Sequence, residues 1–141
     1  MGYRSDVAAY FYVSIHNKSP ERADKARALL DLWWAGVQAD GGLEAHSMKN
    51  DVTVDEHGVL FQFNDIKWYD GYKDVERFNR LATQFCEDFI ANDELDGGSG
   101  INKLFCYEFA RIGEELDDNE YTTEGYNVDF RLGINRSIEI N

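Results

Sequence analysis

Val59-Leu60-Phe61-Gln62-Phe63-Asn64-Asp65-Ile66-Lys67-Trp68-Tyr69-Asp70 is the stretch that decides the fold of this chain. Val59, Phe61 and Phe63 fall on one face and Leu60, Gln62 and Asn64 on the other, the period-two pattern of a strand. Ile66, Trp68 and Tyr69 carry the apolar character onward until Asp70-Gly71 breaks it. The residues before this strand read as one strand–helix–strand unit. Those after it read as a helix and two further strands.

Upstream, Val7, Ala9, Phe11, Val13 and Ile15 alternate with Ala8, Tyr10, Tyr12 and Ser14, so both faces of the first strand are apolar, as in a central position. Asn17-Lys18-Ser19-Pro20 ends it. Ser19 is a suitable helix cap and Pro20 a suitable first helical residue, because that position needs no amide donor. Ala23, Ala26, Leu30, Trp33 and Val37 then recur at steps of three and four, with Leu29 and Trp34 widening the stripe. Gly41-Gly42 should stop this helix. Trp33 and Trp34 sit about 100° apart and fit a broad stripe over a sheet better than a partner anchor. Val52-Thr53-Val54 suggests a short strand, and Asp55-Glu56-His57-Gly58 a turn leading into residue 59.

Downstream, Val75, Phe78, Ala82, Phe85 and Phe89 mark a second amphipathic helix, flanked by Leu81 and Ile90, with Asp70 or Asp74 as its expected cap. It runs into a mobile acidic loop, Asn92-Asp93-Glu94-Leu95-Asp96-Gly97-Gly98-Ser99-Gly100, whose Gly97-Gly98-Ser99-Gly100 follows a helix and reads as a flexible tether rather than a phosphate cradle. Residues 103–111 form a strand with Phe105, Tyr107 and Phe109 on one face and Leu104, Cys106 and Ala110 on the other. Residues 113–125 read as a polar connection. Val128, Phe130, Leu132, Ile134, Ile138 and Ile140 share one parity and predict a last strand covering a core.

The order β-α-β-β-α-β-β predicts an α+β fold: a ferredoxin-like split β-α-β with an extra C-terminal strand, its two helices on one face of an antiparallel sheet. One domain over residues 1–141 is expected from the length. The core should hold Phe11, Phe61, Phe63, Phe78, Phe85 and Phe130. The other sheet face should carry Tyr10, Tyr12, Gln62, Asn64, Arg131 and Tyr107.

Composition excludes several classes. At 43% hydrophobic and 14% aromatic residues, the chain is not disordered as a whole. Its net charge is −13, and the charge is lopsided: residues 1–40 hold five basic and five acidic side chains, residues 41–141 nine basic and 22 acidic. Such a field repels phosphate backbones and anionic lipid and favours basic protein surfaces. Aromatic residues on an open sheet would otherwise suit single-stranded RNA, but the charge has the wrong sign. Tyr10 and Tyr12 fit an edge or homodimer contact instead. Cys86 and Cys106 show no CxxC spacing, which leaves buried thiols in a reducing compartment. No apolar run reaches the ~20 residues of a membrane helix, and no signal peptide is expected.

Catalytic signatures are sparse. His16, His46 and His57 lack metal-ligand spacing, and no nucleophile elbow or phosphate loop follows a strand. Asp117-Asp118-Asn119-Glu120 lacks the frame of a calcium loop and reads as a solvated acidic segment. No metal and no cofactor is expected. An enzyme with a carboxylate acid/base remains an alternative, because spacing cannot single out one carboxylate pair among 27 acids.

Met1-Gly2-Tyr3-Arg4-Ser5-Asp6-Val7, Ile66-Lys67-Trp68-Tyr69-Asp70, Ala110-Arg111-Ile112-Gly113-Glu114-Glu115 and Asn135-Arg136-Ser137-Ile138 together resemble, in their order, small bacteriophage and prophage proteins without an assigned activity. Gly97-Gly98-Ser99-Gly100 departs from the shorter connection of such proteins. The resemblance implies a phage origin and the cytoplasm of a bacterial host. With the acidity, it suggests a non-enzymatic accessory protein that binds a host protein with a basic surface, for example an anti-defence, anti-CRISPR-like inhibitor imitating nucleic acid. The surface would comprise Glu87, Asp88, Asp93, Glu94 and Asp96 with Glu114, Glu115, Asp117, Asp118, Glu120 and Glu124, beside Trp68 and Tyr69. The other alternative is a small-molecule or nucleotide binder using the sheet face or a dimer crevice.

Overall fold

The computed structural model describes residues 4–15, 19–39, 51–69, 71–115, 117–135 and 137–141. The expected stop at Gly41-Gly42, His16, His46 and the Asp70 cap lie outside these residues, as does the side chain of Asp96. The elements are β1 (Ser5–Val13), α1 (Pro20–Ala39), β2 (Asp51–Val54), β3 (Gly58–Ile66), α2 (Lys73–Phe85), β4 (Phe105–Ile112), β5 (Asn119–Glu124), β6 (Leu132–Asn135) and β7 (Ser137–Ile140). β1 to β5 form one antiparallel sheet in the order β2-β3-β1-β4-β5, and β6 and β7 pair separately. The fold is α+β, a central five-stranded sheet contacted by two helices.

The alternation read from the sequence decides what each face buries. Val7, Ala9, Phe11 and Val13 of β1, Val59, Phe61 and Phe63 of β3, and Phe105, Tyr107 and Phe109 of β4 meet Ala26 and Leu30 of α1 and Phe78, Ala82 and Phe85 of α2. Phe11 is fully buried, and its ring meets Phe61, Phe78, Phe85 and Trp33 at centroid distances of 4.9–6.2 Å, mostly edge to face. Trp34 packs edge-on against Phe61, so both adjacent tryptophans serve the core. Ser19 Oγ accepts the Arg22 amide, the cap expected before Pro20. At α2 the N-cap is Tyr72, with no side-chain cap bond, and Asp74 lies in the first turn instead. Beyond Phe85 the helix widens into a π turn, Cys86–Ile90, closed by the Ala91 amide on the Cys86 carbonyl.

Four expectations are corrected. Residues 119–124, read as connection, form the edge strand β5. The single C-terminal strand is the hairpin β6–β7, which lies against the sheet face away from the helices: Leu132, Ile134 and Ile138 cover Ala8, Tyr10, Tyr12, Leu60, Cys106 and Ala110. Phe130 is 60% exposed at φ 54, outside the core, because the chain turns there to enter the hairpin. The glycine-rich stretch is not a tether: Gly97, Gly98 and Gly100 adopt positive φ around two 3-10 turns, Arg22 donates to the Gly100 carbonyl, and buried Asn102 donates to the Ile90 carbonyl.

Candidate functional site

Tyr10 and Tyr12 project from β1 onto the hairpin side of the sheet, where their rings stack at 4.6 Å. They are buried there, so this face does not present the open aromatic platform expected from parity. Tyr107, expected on the same face, lies instead on the helix side, as its register with Phe11 requires.

Between sheet and hairpin lies a polar cluster centred on Glu108, which is 0% exposed. Its Oε1 accepts the Tyr121 hydroxyl at 2.9 Å and the Leu132 amide at 3.0 Å. Its Oε2 accepts the Tyr12 hydroxyl and the Arg131 amide, the latter at 2.9 Å. Four donors thus compensate one buried carboxylate, two from side chains of the sheet and two from the hairpin backbone. Burial raises the pKa of the Tyr12 hydroxyl, and the bond to Glu108 raises it further. Tyr12 in turn accepts the Asp129 amide, while Asp129 receives the Ser14 hydroxyl and the Ile15 amide. Arg131 stands over the Tyr10 ring at 5.7 Å. The sequence signal for this cluster is a charged residue at the centre of an apolar strand, and alternation alone gives it no role.

Arg111 governs a second cluster. Its guanidinium donates to Asp118 at 2.7 Å, to Glu120 at 2.9 Å and to the Ser5 hydroxyl at 3.1 Å. Asp118 raises the pKa of Arg111 most, burial opposes the rise, and Glu120 adds to it. Two of the six acids expected in the 114–124 surface are therefore paired with Arg111, although Glu120 stays exposed.

The remaining expected residues divide in the same way. Glu114 accepts the Arg4 amide, and Asp93 accepts the Asn102 side chain at 3.1 Å, pinning the turn after the π segment. Asp88 receives Gln84 at 2.9 Å, and the Glu94 amide donates to Asn92. Trp68 packs on Phe63, Phe78 and Phe109, and Tyr69 on Tyr72. Glu114, Glu115, Asp117, Glu120 and Glu124 are exposed.

The two acidic segments do meet at one place. A groove of about 430 Å³ runs between the end of α2 and β5, lined among others by Thr83, Cys86, Glu87, Tyr107, Thr122 and Glu124. Burial pushes the Cys86 thiol up to about 12, and the charges of Glu124 and Glu87 add to the shift. Cys106 is also pushed up to about 12, first by burial and then by Asp129. Neither thiol supplies an appreciable thiolate nucleophile near neutral pH. Among the described residues no three His, Cys, Asp or Glu side chains are grouped to hold a metal, and no helix is long and apolar enough to cross a membrane. Neither a family, nor a curated protein, nor a solved structure matched this chain.

Proposed function

We propose that this chain is a non-enzymatic binding protein that presents the acidic surface around α2's end, the loop before β5 and β5 itself to a basic protein. The observation that carries this reading is the groove where Glu87 and Glu124 flank Cys86: both carboxylates act on one thiol, although they are far apart in sequence. Like charges held together repel in the free protein, and a basic partner relieves that repulsion. The chemistry-bearing groups elsewhere support it. Glu108 is saturated by donors, Arg111 is taken up by Asp118 and Glu120, and both thiols are shifted away from reactivity. The resemblance to phage proteins favours a partner in the bacterial host, such as a defence factor whose nucleic-acid groove this surface would occupy.

The fold assignment is consistent with this. We infer that β1, α1, β2, β3, α2 and β4 make the split β-α-β of a ferredoxin-like unit. The strand order β2-β3-β1-β4 with helical crossovers after β1 and β3 supports it, with β5 added at the edge and the hairpin behind.

The test compares wild type with a Glu87→Gln, Glu114→Gln, Asp117→Asn, Glu124→Gln variant in affinity capture from host lysate at low and high salt. The expected result is a partner whose binding falls about tenfold or more on neutralisation, about 1.4 kcal/mol, weakens steeply with salt and is displaced by duplex DNA. Equal capture by both proteins at every salt concentration would sink the proposal.

A further inference from the structure

We propose that the outer edge of β5 accepts an extended segment of a basic partner as a sixth strand of the sheet, with alternate Lys or Arg side chains facing Glu124 and Glu87. This rests on the acidic-surface reading above and specifies the form in which that partner binds.

Two backbone bonds set the hydrogen-bonding parity of β4. The Gly113 amide donates to the Asp118 carbonyl at 2.7 Å, one step beyond the β4–β5 register, and the Ser14 amide donates to the Leu104 carbonyl at 2.7 Å, one step beyond the β1–β4 register. Antiparallel ladders alternate hydrogen-bonded with non-hydrogen-bonded pairs. Followed inward from both ends, the parities agree. The even residues of β4 bond to β1, and Arg111, Phe109 and Tyr107 bond to Glu120, Thr122 and Glu124. The amides and carbonyls of Tyr121 and Thr123 therefore point away from the sheet. β5 is last in the strand order, so these groups form an edge on which another strand can build.

Side-chain placement and charge decide what that strand is. Thr122, Glu120 and Glu124 lie opposite Phe109, Arg111 and Tyr107, on the helix side, where Glu124 shares the groove with Glu87. Glu120 shares the Arg111 guanidinium with Asp118. Among the described residues Glu87 and Glu124 have no ion-pair partner, so they supply the unbalanced charge. A second copy of this chain would bring the same carboxylates against them, in a molecule of net charge −13, which argues against self-pairing at this edge. An added strand turns every second side chain toward the groove, so the matching pattern is alternating basic residues and not a basic block.

The probe is a short capped peptide alternating lysine with threonine. It is compared with a block-lysine peptide of the same composition, a glutamate–threonine analogue, and two forms N-methylated at alternate residues in opposite registers. The alternating peptide is expected to bind at least tenfold more tightly than the block and glutamate forms. It should also slow hydrogen exchange at the Tyr121 and Thr123 amides. One N-methylated register should abolish binding and the other retain it, because only one set of peptide amides faces β5. Equal binding of both N-methylated registers, with affinity still lost in the Glu87→Gln, Glu124→Gln protein, overturns strand addition and leaves the acidic surface standing. Equal binding of lysine and glutamate peptides overturns both.

Discussion

Replacing Glu108 by glutamine exchanges one acceptor oxygen for an amide NH2 inside the cluster that joins the sheet to the β6–β7 hairpin. Each oxygen of Glu108 receives one tyrosine hydroxyl and one backbone amide: Tyr121 with Leu132, Tyr12 with Arg131. Whichever way glutamine turns, its NH2 confronts one of these pairs. The hydroxyl can rotate and become an acceptor, but the backbone amide cannot. One buried donor is stranded, at a cost of about 1–3 kcal/mol, and the surviving bonds lose the assistance of a charged acceptor. The sum is ~3 kcal/mol, a large part of the 5–15 kcal/mol typical of a domain. Glu108→Leu strands all four donors and should cost more than glutamine does. Equilibrium urea unfolding, followed by fluorescence of Trp33, Trp34 and Trp68, measures the difference. Hydrogen exchange at the Leu132 amide should accelerate in the same variants, showing that the hairpin is what loosens. A Glu108→Gln loss under ~1 kcal/mol, with unchanged exchange at Leu132, would refute the idea that this carboxylate clamps the two layers.

Three further outcomes are expected. A Cβ at Gly58 would lie 2.1 Å from the Phe11 carbonyl oxygen and 2.6 Å from Tyr12 Cα, so Gly58→Ala must push β3 away from β1 and should cost at least ~2 kcal/mol in urea unfolding. Burial alone would raise the Asp55 pKa, but bonds from the Tyr10 hydroxyl and the Gly58 and His57 amides outweigh it and bring the value below 3.8. Its stabilising contribution is thus complete above its unfolded pKa and is lost as pH falls through the lower folded one; Asp55→Asn should flatten the acid limb of a stability–pH curve. With both thiols at about 12, the thiolate fraction at pH 8 is roughly one in ten thousand, so Cys86 and Cys106 should resist iodoacetamide in the native protein and label readily in urea.

The elements legible in the sequence are those with one dry and one wetter face, or two dry ones. β1, β3 and β4 show themselves by alternation and α1 and α2 by their stripes, because core contact is what imposes those periods. β5 does not, since Asn119-Glu120-Tyr121-Thr122-Thr123-Glu124 is exposed along nearly all its length and carries no apolar period. The C-terminal hairpin reads as one strand for a geometric reason: Leu132 pairs with Ile140 and Ile134 with Ile138, so both arms keep the same parity. Parity also puts Phe130 in the core, but the left-handed turn before Leu132 breaks the alternation that argument assumes. As for the candidate site, the two acidic runs are visible as composition. Which acids are committed depends on Arg111, whose partners come from two distant segments, Ser5 on one side and Asp118 and Glu120 on the other, and no spacing rule reveals that convergence.

The clamp at Glu108 also has a consequence for how the molecule is made. Synthesis proceeds from the N-terminus, so β1 to β5 emerge from the ribosome ahead of the hairpin. During that interval the back of the sheet is bare: Ala8, Leu60, Cys106 and Ala110 lack their cover, and Glu108 keeps its hydration shell beside the tyrosines. Docking of the hairpin exchanges that water for the Arg131 and Leu132 amides. A nascent chain stalled before Leu132 would therefore expose both an adhesive apolar patch and an ionised carboxylate, and the carboxylate's solvation would help keep the unfinished sheet from associating with its neighbours.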